Sequence, residues 1–170
     1  GKALNALFKG VNWNKKGNRL TVVIDDGKPV NLQTEPGKGR YALAKDLKPG
    51  KHVVRIYKAS EPWLGPMTFL GFELPSEGKA LAAPKPSPRA IEVIGDSISV
   101  GAGNEGQKPS EAGSIQNTNN YLAYGPLAAR ALNAECAVIA WSGKGLSRNG
   151  GGDTKGTMPK IYHRANPTNA

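Results

Sequence analysis

Cys136 is the sole cysteine among 170 residues. It can form no disulfide within the chain and no cysteine metal cluster. It lies in the apolar run Ala134 to Trp141 and is read as a core thiol rather than a nucleophile. The two histidines, His52 and His163, stand far apart among scattered carboxylates, a spacing that suits no metal site. Neither a metal nor a cofactor is indicated. Aromatic residues make up only 6%, and the lysines are scattered among strands and turns rather than clustered with them, which does not suit a nucleic-acid surface. No apolar stretch approaches the roughly 20 residues of a membrane span. No signal-peptide pattern is visible, because Gly1-Lys2-Ala3-Leu4 leads into a strand-like segment. There is no internal repeat and no block of like charge.

Glycine (22) and proline (13) are plentiful, which favours many turns and few long helices. A hydrophobic content of 38% allows a packed core, and the length suits one medium domain or two small ones. Charge is uneven. Residues 1–90 hold 16 Lys+Arg against 7 Asp+Glu, net +9, whereas residues 91–170 hold 7 against 6, net +1. Two units with different surfaces account for this asymmetry. A basic surplus can serve nucleic acid or an acidic polysaccharide. The scatter of the lysines fits a solvated face better.

Residues 1–74 read as short strands at roughly 10-residue spacing, the signature of a β-sandwich. Strands are expected at Leu4 to Val11, Arg19 to Ile24, Pro29 to Gln33, Arg40 to Ala44, His52 to Lys58 and Met67 to Leu74. Turns are expected at Asp25-Asp26-Gly27-Lys28, at Pro36-Gly37-Lys38-Gly39 and at Leu47 to Lys51. Trp13 and Trp63 are read as core or interface residues rather than a sugar platform. Residues 75–90 carry four prolines in sixteen positions and form an extended linker. Within residues 91–170 a strand from Ile91 is followed by a helix over Tyr121 to Leu132. Its apolar stripe is Tyr124, Leu127, Ala128, Ala131 and Leu132, with Asn119 or Asn120 as cap. Pro126 either starts this helix or kinks it. A second strand follows at Ala134 to Trp141. Strand, helix and strand, with both strands ending in loops at one edge, read as a βαβ unit. Two parallel strands are too few for a stable sheet covered on both faces, so this second domain is expected to be incomplete.

The first of these strands ends at Gly95-Asp96-Ser97, and a glycine-rich loop follows, Ile98-Ser99-Val100-Gly101-Ala102-Gly103-Asn104-Glu105-Gly106. A buried parallel strand that stops this way delivers Ser97 to the carboxyl edge of the sheet, where open α/β sheets place their sites. Gly-Asp-Ser alone also occurs in ordinary turns. The whole stretch resembles the nucleophile block of the GDSL/SGNH hydrolases. It looks most like the second carbohydrate esterase family, acetyl esterases acting on plant cell-wall polysaccharides. The resemblance implies a two-domain β plus α/β chain: a jelly-roll β-sandwich over 1–74, the linker 75–90, and the N-terminal part of a parallel-sheet SGNH hydrolase domain over 91–170.

It also implies chemistry. A serine hydroxyl needs a base to accept its proton, and acyl transfer needs preset donors worth about 3–4 kcal/mol each when removed singly. By resemblance Ser97 is the nucleophile and its own N–H one donor. Gly143, in Trp141-Ser142-Gly143-Lys144-Gly145-Leu146, is the second, with Gly145 as the fallback. Asn104 and Glu105 either touch substrate or order the loop. Trp141 either stacks on a sugar ring or anchors a strand end. Asp96 is expected to brace the nucleophile loop by hydrogen bonds.

The family's Gly-x-Asn-Asp and Asp-x-x-His blocks are missing, although Met158-Pro159-Lys160-Ile161-Tyr162 matches the stretch that usually precedes the former. His52 is read as a strand-surface residue. His163 stands beside Arg164, a poor place for a base that must take up positive charge. Asp153 has no histidine partner in view. The expectation is therefore an esterase of acetylated polysaccharide, secreted or periplasmic. The base would come from a missing segment or a second chain, and the chain alone would be nearly inactive. The alternative is a non-catalytic carbohydrate-binding β-sandwich. Nucleic acid and membrane are not expected partners.

Overall fold

Alternation organises the first strand, β1 (Lys2–Gly10): Leu4, Ala6, Phe8 and Gly10 are buried while Ala3 and Lys9 are exposed. The computed structural model describes residues 2–11, 17–111 and 113–164, so Trp13 lies outside the described residues. The chain divides into two compact units, residues 1–58 with 64–85, and residues 59–63 with 86–170.

In the first unit all strand pairs are antiparallel. β1 lies between β4 (Gly37–Leu47) and β6 (Met67–Glu73), and β2 (Arg19–Ile24) lies between β3 (Val30–Gln33) and β5 (Val54–Lys58). Ala6, Phe8 and Leu20 form the centre of the core, and Leu32, Tyr41, Leu43, Ile56 and Met67 pack around them. All six strands thus contribute to one apolar interior. β2 has the bounds expected from its β-branched run. Its hairpin with β3 closes where Gly27 N–H donates to Ile24 C=O at 2.9 Å, with Asp25 and Asp26 at φ of 52° and 59°. Two successive positive φ values match the right-handed twist of the flanking strands.

Several boundaries differ from expectation, and two of them have a visible cause. Residues 37–39 are not a turn but the start of β4, paired as Gly10↔Gly37, Lys9↔Lys38 and Phe8↔Gly39. The Tyr41 side chain occupies the space above Gly39, where a Cβ would meet Tyr41 Oη at 2.4 Å. Any larger residue at position 39 would have to displace the Tyr41 ring. His52 and Val53 stand outside β5, because Asp25 takes the Val53 N–H (2.8 Å) and the His52 ring.

The described residues of 75–89 hold no helix or strand. In the second unit, β7 (Ala90–Gly95) and β8 (Glu135–Ala140) form a two-stranded parallel sheet. Among the described residues of this unit are three α-helices, α1 (Ser97–Val100), α2 (Tyr124–Ala131) and α3 (Met158–Ile161). Pro126 sits in the first turn of α2, where its missing N–H is harmless. Asn119 caps not α2 but the 3-10 turn Asn120–Leu122, accepting the Tyr121 N–H.

The apolar stripe expected on α2 is overturned. Tyr124, Leu127 and Leu132 are exposed, and Gly125, Pro126 and Ala129 face the sheet. A Cβ on Gly125 would lie 2.4 Å from Val93 Cγ2, so the helix approaches β7 through its small residues. Cys136 is likewise exposed rather than in the core, because burial along β8 begins only at Val138. Partial burial still pushes its thiol above the usual value.

Candidate active site

Parallel register decides which loops meet. Gly95 pairs with Ala140, and Trp141 N–H donates to Gly95 C=O at 3.1 Å, so both strands stop at one edge. Asp96–Ser97 and Trp141–Gly143 are the first residues past that edge. The Asp96 carboxylate accepts the Ile98 N–H at 3.1 Å and caps α1, which carries Ser97 as its first residue. Ser97 is half-buried. Among the described residues its hydroxyl has no hydrogen-bonded partner, and its N–H donates to none.

Residues 141–144 close a turn in which Lys144 N–H donates to Trp141 C=O at 3.1 Å. Gly143 has φ of 78°, and Ser142 is not among the described non-glycine residues at positive φ. Negative then positive φ at the two central positions is the type II arrangement, which favours glycine at the second. The Gly143 C=O accepts Gly150 N–H at 2.8 Å, while its own N–H meets no acceptor among the described residues. Gly145 is different. Its N–H donates to Asn149 Oδ1 at 3.3 Å and its C=O accepts Met158 N–H at 2.9 Å. Of the two glycines, Gly143 is the one with a donor still available. The Ser142 hydroxyl donates to the carboxylate of Glu61, which is buried.

The loop after α1 is folded by asparagines. Asn104 donates to Asn119 C=O at 2.8 Å and accepts Asn119 N–H at 3.0 Å, and Asn119 Nδ2 donates to Glu105 at 2.9 Å. Gly101, at φ of 84°, lets this ring close, because a Cβ there would lie 2.7 Å from Asn119 O. These bonds show that Asn104 and Glu105 order the loop. Trp141 is half-buried, with Lys144 Nζ 5.8 Å from its ring centroid.

The other candidates lie elsewhere. In the first unit His52 sits between Asp25 (2.5 Å) and Lys48 C=O (2.8 Å), and its pKa is raised, first by the Asp25 hydrogen bond and then by the Lys48 carbonyl. His163 is exposed and packs edge-on against Tyr162, whose phenol donates to Glu92 at 2.9 Å. Asp153 has a lowered pKa because it accepts the Lys155 N–H and an Asn149 amide hydrogen, which makes it a loop brace. No group of three or more potential metal ligands occurs among the described residues. None of their helices is long and apolar enough to cross a membrane. Glu61 and Asn149 were not singled out from the sequence, and Asn119 was expected only as a helix cap, not as the partner of Asn104 and Glu105. Nothing in their spacing marks them, since their partners are set by the fold.

Residues 1–84 match the family model described as the carbohydrate esterase 2 N-terminal domain. The chain belongs to carbohydrate esterase family 2. Over 148 residues it is 43% identical to the cellulase/esterase CelE of Acetivibrio thermocellus, and 38% identical to an acetylxylan esterase / glucomannan deacetylase of Cellvibrio japonicus. Each alignment covers 84% of this chain, but only 17% and 40% of those proteins. A family two carbohydrate esterase of Clostridium thermocellum, solved in complex with cellohexaose, superposes with a TM-score of 0.90 at 34% identity. That match covers 100% of this chain and 51% of the solved one. The chain thus spans about half, or less, of the relatives it matches.

Proposed function

We propose that this chain is part of a secreted or periplasmic serine esterase that removes O-acetyl groups from plant cell-wall polysaccharide such as xylan or glucomannan. Its first 74 residues form the jelly-roll sandwich, residues 75–90 the connector, and residues 91–170 the first part of an SGNH hydrolase domain. The observation that carries the reading is the parallel register at Gly95↔Ala140, which ends both strands beside Ser97 and Gly143.

In the reaction, Ser97 Oγ bonds to the acetyl carbon and gives its proton to a base. Negative charge on the former carbonyl oxygen is held by the N–H groups of Ser97 and Gly143. Collapse of this intermediate breaks the ester bond, and the sugar oxygen leaves with the proton. Water then releases acetate from Ser97. Trp141 offers a ring face for the sugar. The reading requires a base from outside these residues, on a further segment or a second chain.

The test uses the full-length protein with an aryl acetate and acetylated xylan. Ser97→Ala should lower kcat at least about 10³-fold with the fold intact by circular dichroism. Wild-type turnover in that variant would refute the reading. The alternative is sugar binding by the first unit without turnover; a similar structure was solved in complex with cellohexaose. Binding that survives both Ser97→Ala and deletion of residues 91–170 supports it.

A further inference from the structure

Residues 59–63 lie in the N-terminal half of the sequence, yet they belong to the second compact unit. Ala59 is fully buried, and its C=O accepts the Asn120 N–H at 2.9 Å. Glu61 is 3% exposed and holds the Ser142 hydroxyl. Leaving a polar group at that depth without its hydrogen-bond partner is costly. Ser142 immediately precedes Gly143.

The peptide between Ser142 and Gly143 carries the N–H that the esterase reading aims at the oxyanion. It is also the middle peptide of the 141–144 turn, the one that inverts between type I and type II. Glycine tolerates both signs of φ, so glycine alone does not hold that peptide in one sense. Inversion rotates ψ of residue 142 against φ of residue 143. Both ends of the rotating unit are anchored here, one by Ser142 on Glu61 and the other by Gly143 C=O on Gly150 N–H.

We infer that Glu61 is a positioning residue that acts through Ser142 to hold the Gly143 N–H in its donating orientation, an inference that rests on the esterase reading above. The segment 59–63 is then a strut of the active site rather than a connection between strands.

The experiment compares Glu61→Ala, Glu61→Gln, Ser142→Ala and the double alanine variant in the full-length protein, by kcat and KM for an aryl acetate and by thermal melting. Glu61→Ala and Ser142→Ala should each lower kcat about 10- to 100-fold with KM nearly unchanged. The double variant should be no slower than either alone, because both remove one bond. Glu61→Gln keeps an oxygen for the Ser142 hydroxyl and should recover most of the loss. If Glu61→Ala does not fold, Ser142→Ala, which leaves the carboxylate in place, carries the test. Wild-type kcat in Ser142→Ala, or a lowered melting temperature with kcat unchanged below it, overturns the inference. So does a Glu61→Gln variant as slow as Glu61→Ala. Ser97→Ala is run alongside. If it retains turnover, the esterase reading fails. If it is inactive while Ser142→Ala is fully active, only the positioning role fails.

Discussion

Gly143 and Gly145 share one loop but answer to different constraints. At Gly143 there is open space for a Cβ, and the difficulty is its φ of 78°. At Gly145 the backbone is not at positive φ, but a Cβ would come within 1.9 Å of Arg148 O. Gly143→Ala is therefore expected to lose only about 1 kcal/mol of stability. Alanine disfavours φ of that sign and lets the middle peptide of the turn invert, so kcat should fall about 10²-fold with the donor withdrawn. Gly145→Ala should show the opposite order: a large drop in melting temperature, with residual activity tracking the folded fraction. Kinetics and melting curves of the two variants side by side check this, and equal behaviour would remove the distinction between the glycines. The position of Ser97 just past the end of β7 was legible in the sequence because a β-branched run stopping at Gly-Asp-Ser is a local pattern. Glu61 was not, since its partner lies 81 positions away and a lone Glu between Ser60 and Pro62 carries no signal of burial.

The turn joining β2 and β3 is tied to the entry of β5 by Asp25, which accepts the Val53 N–H and pairs with His52. Both ring nitrogens of His52 face acceptors, so the imidazolium is favoured. Its pKa is raised from 6.5, and that of Asp25 is lowered from 3.8, chiefly by the hydrogen bond between them. The His52 contribution to stability is complete below 6.5 and is lost as pH rises through the raised value. The Asp25 contribution is complete above 3.8 and is lost as pH falls through the lowered value. The pair therefore supports the hairpin most between those two values. A His52→Ala variant should melt below the wild type near about pH 5, and the gap should narrow toward about pH 9. A gap independent of pH would show that the ring acts through packing alone.

This hairpin was readable from Asp25-Asp26-Gly27 because turn chemistry is local. The buried face of α2 was not. Periodicity marks large apolar residues, whereas Gly125 and Ala129 are inside because they are small enough to let the helix touch Val93. The start of β4 was missed for a related reason. Gly37 and Gly39 look like a turn until β1 supplies the hydrogen bonds of a strand.

At the scale of the molecule, the second unit has a two-stranded parallel sheet, with a nucleophile candidate and one loop donor at its edge. Among the described residues no imidazole is bonded to Ser97, and the chain matches about half of a solved relative. Acyl transfer by a serine depends on its base far more steeply than on sugar binding. Loss of one member of such a constellation leaves only the roughly 10³–10⁴-fold over water that binding and oxyanion donors supply. Residues 1–170 alone should therefore turn over an aryl acetate at least about 10³-fold more slowly than the full-length protein. A fluorophosphonate should label Ser97 of this chain correspondingly slowly. Equal turnover by the two would place the base within these residues. His163 would then be the group to substitute first, since it is the one histidine within the second unit.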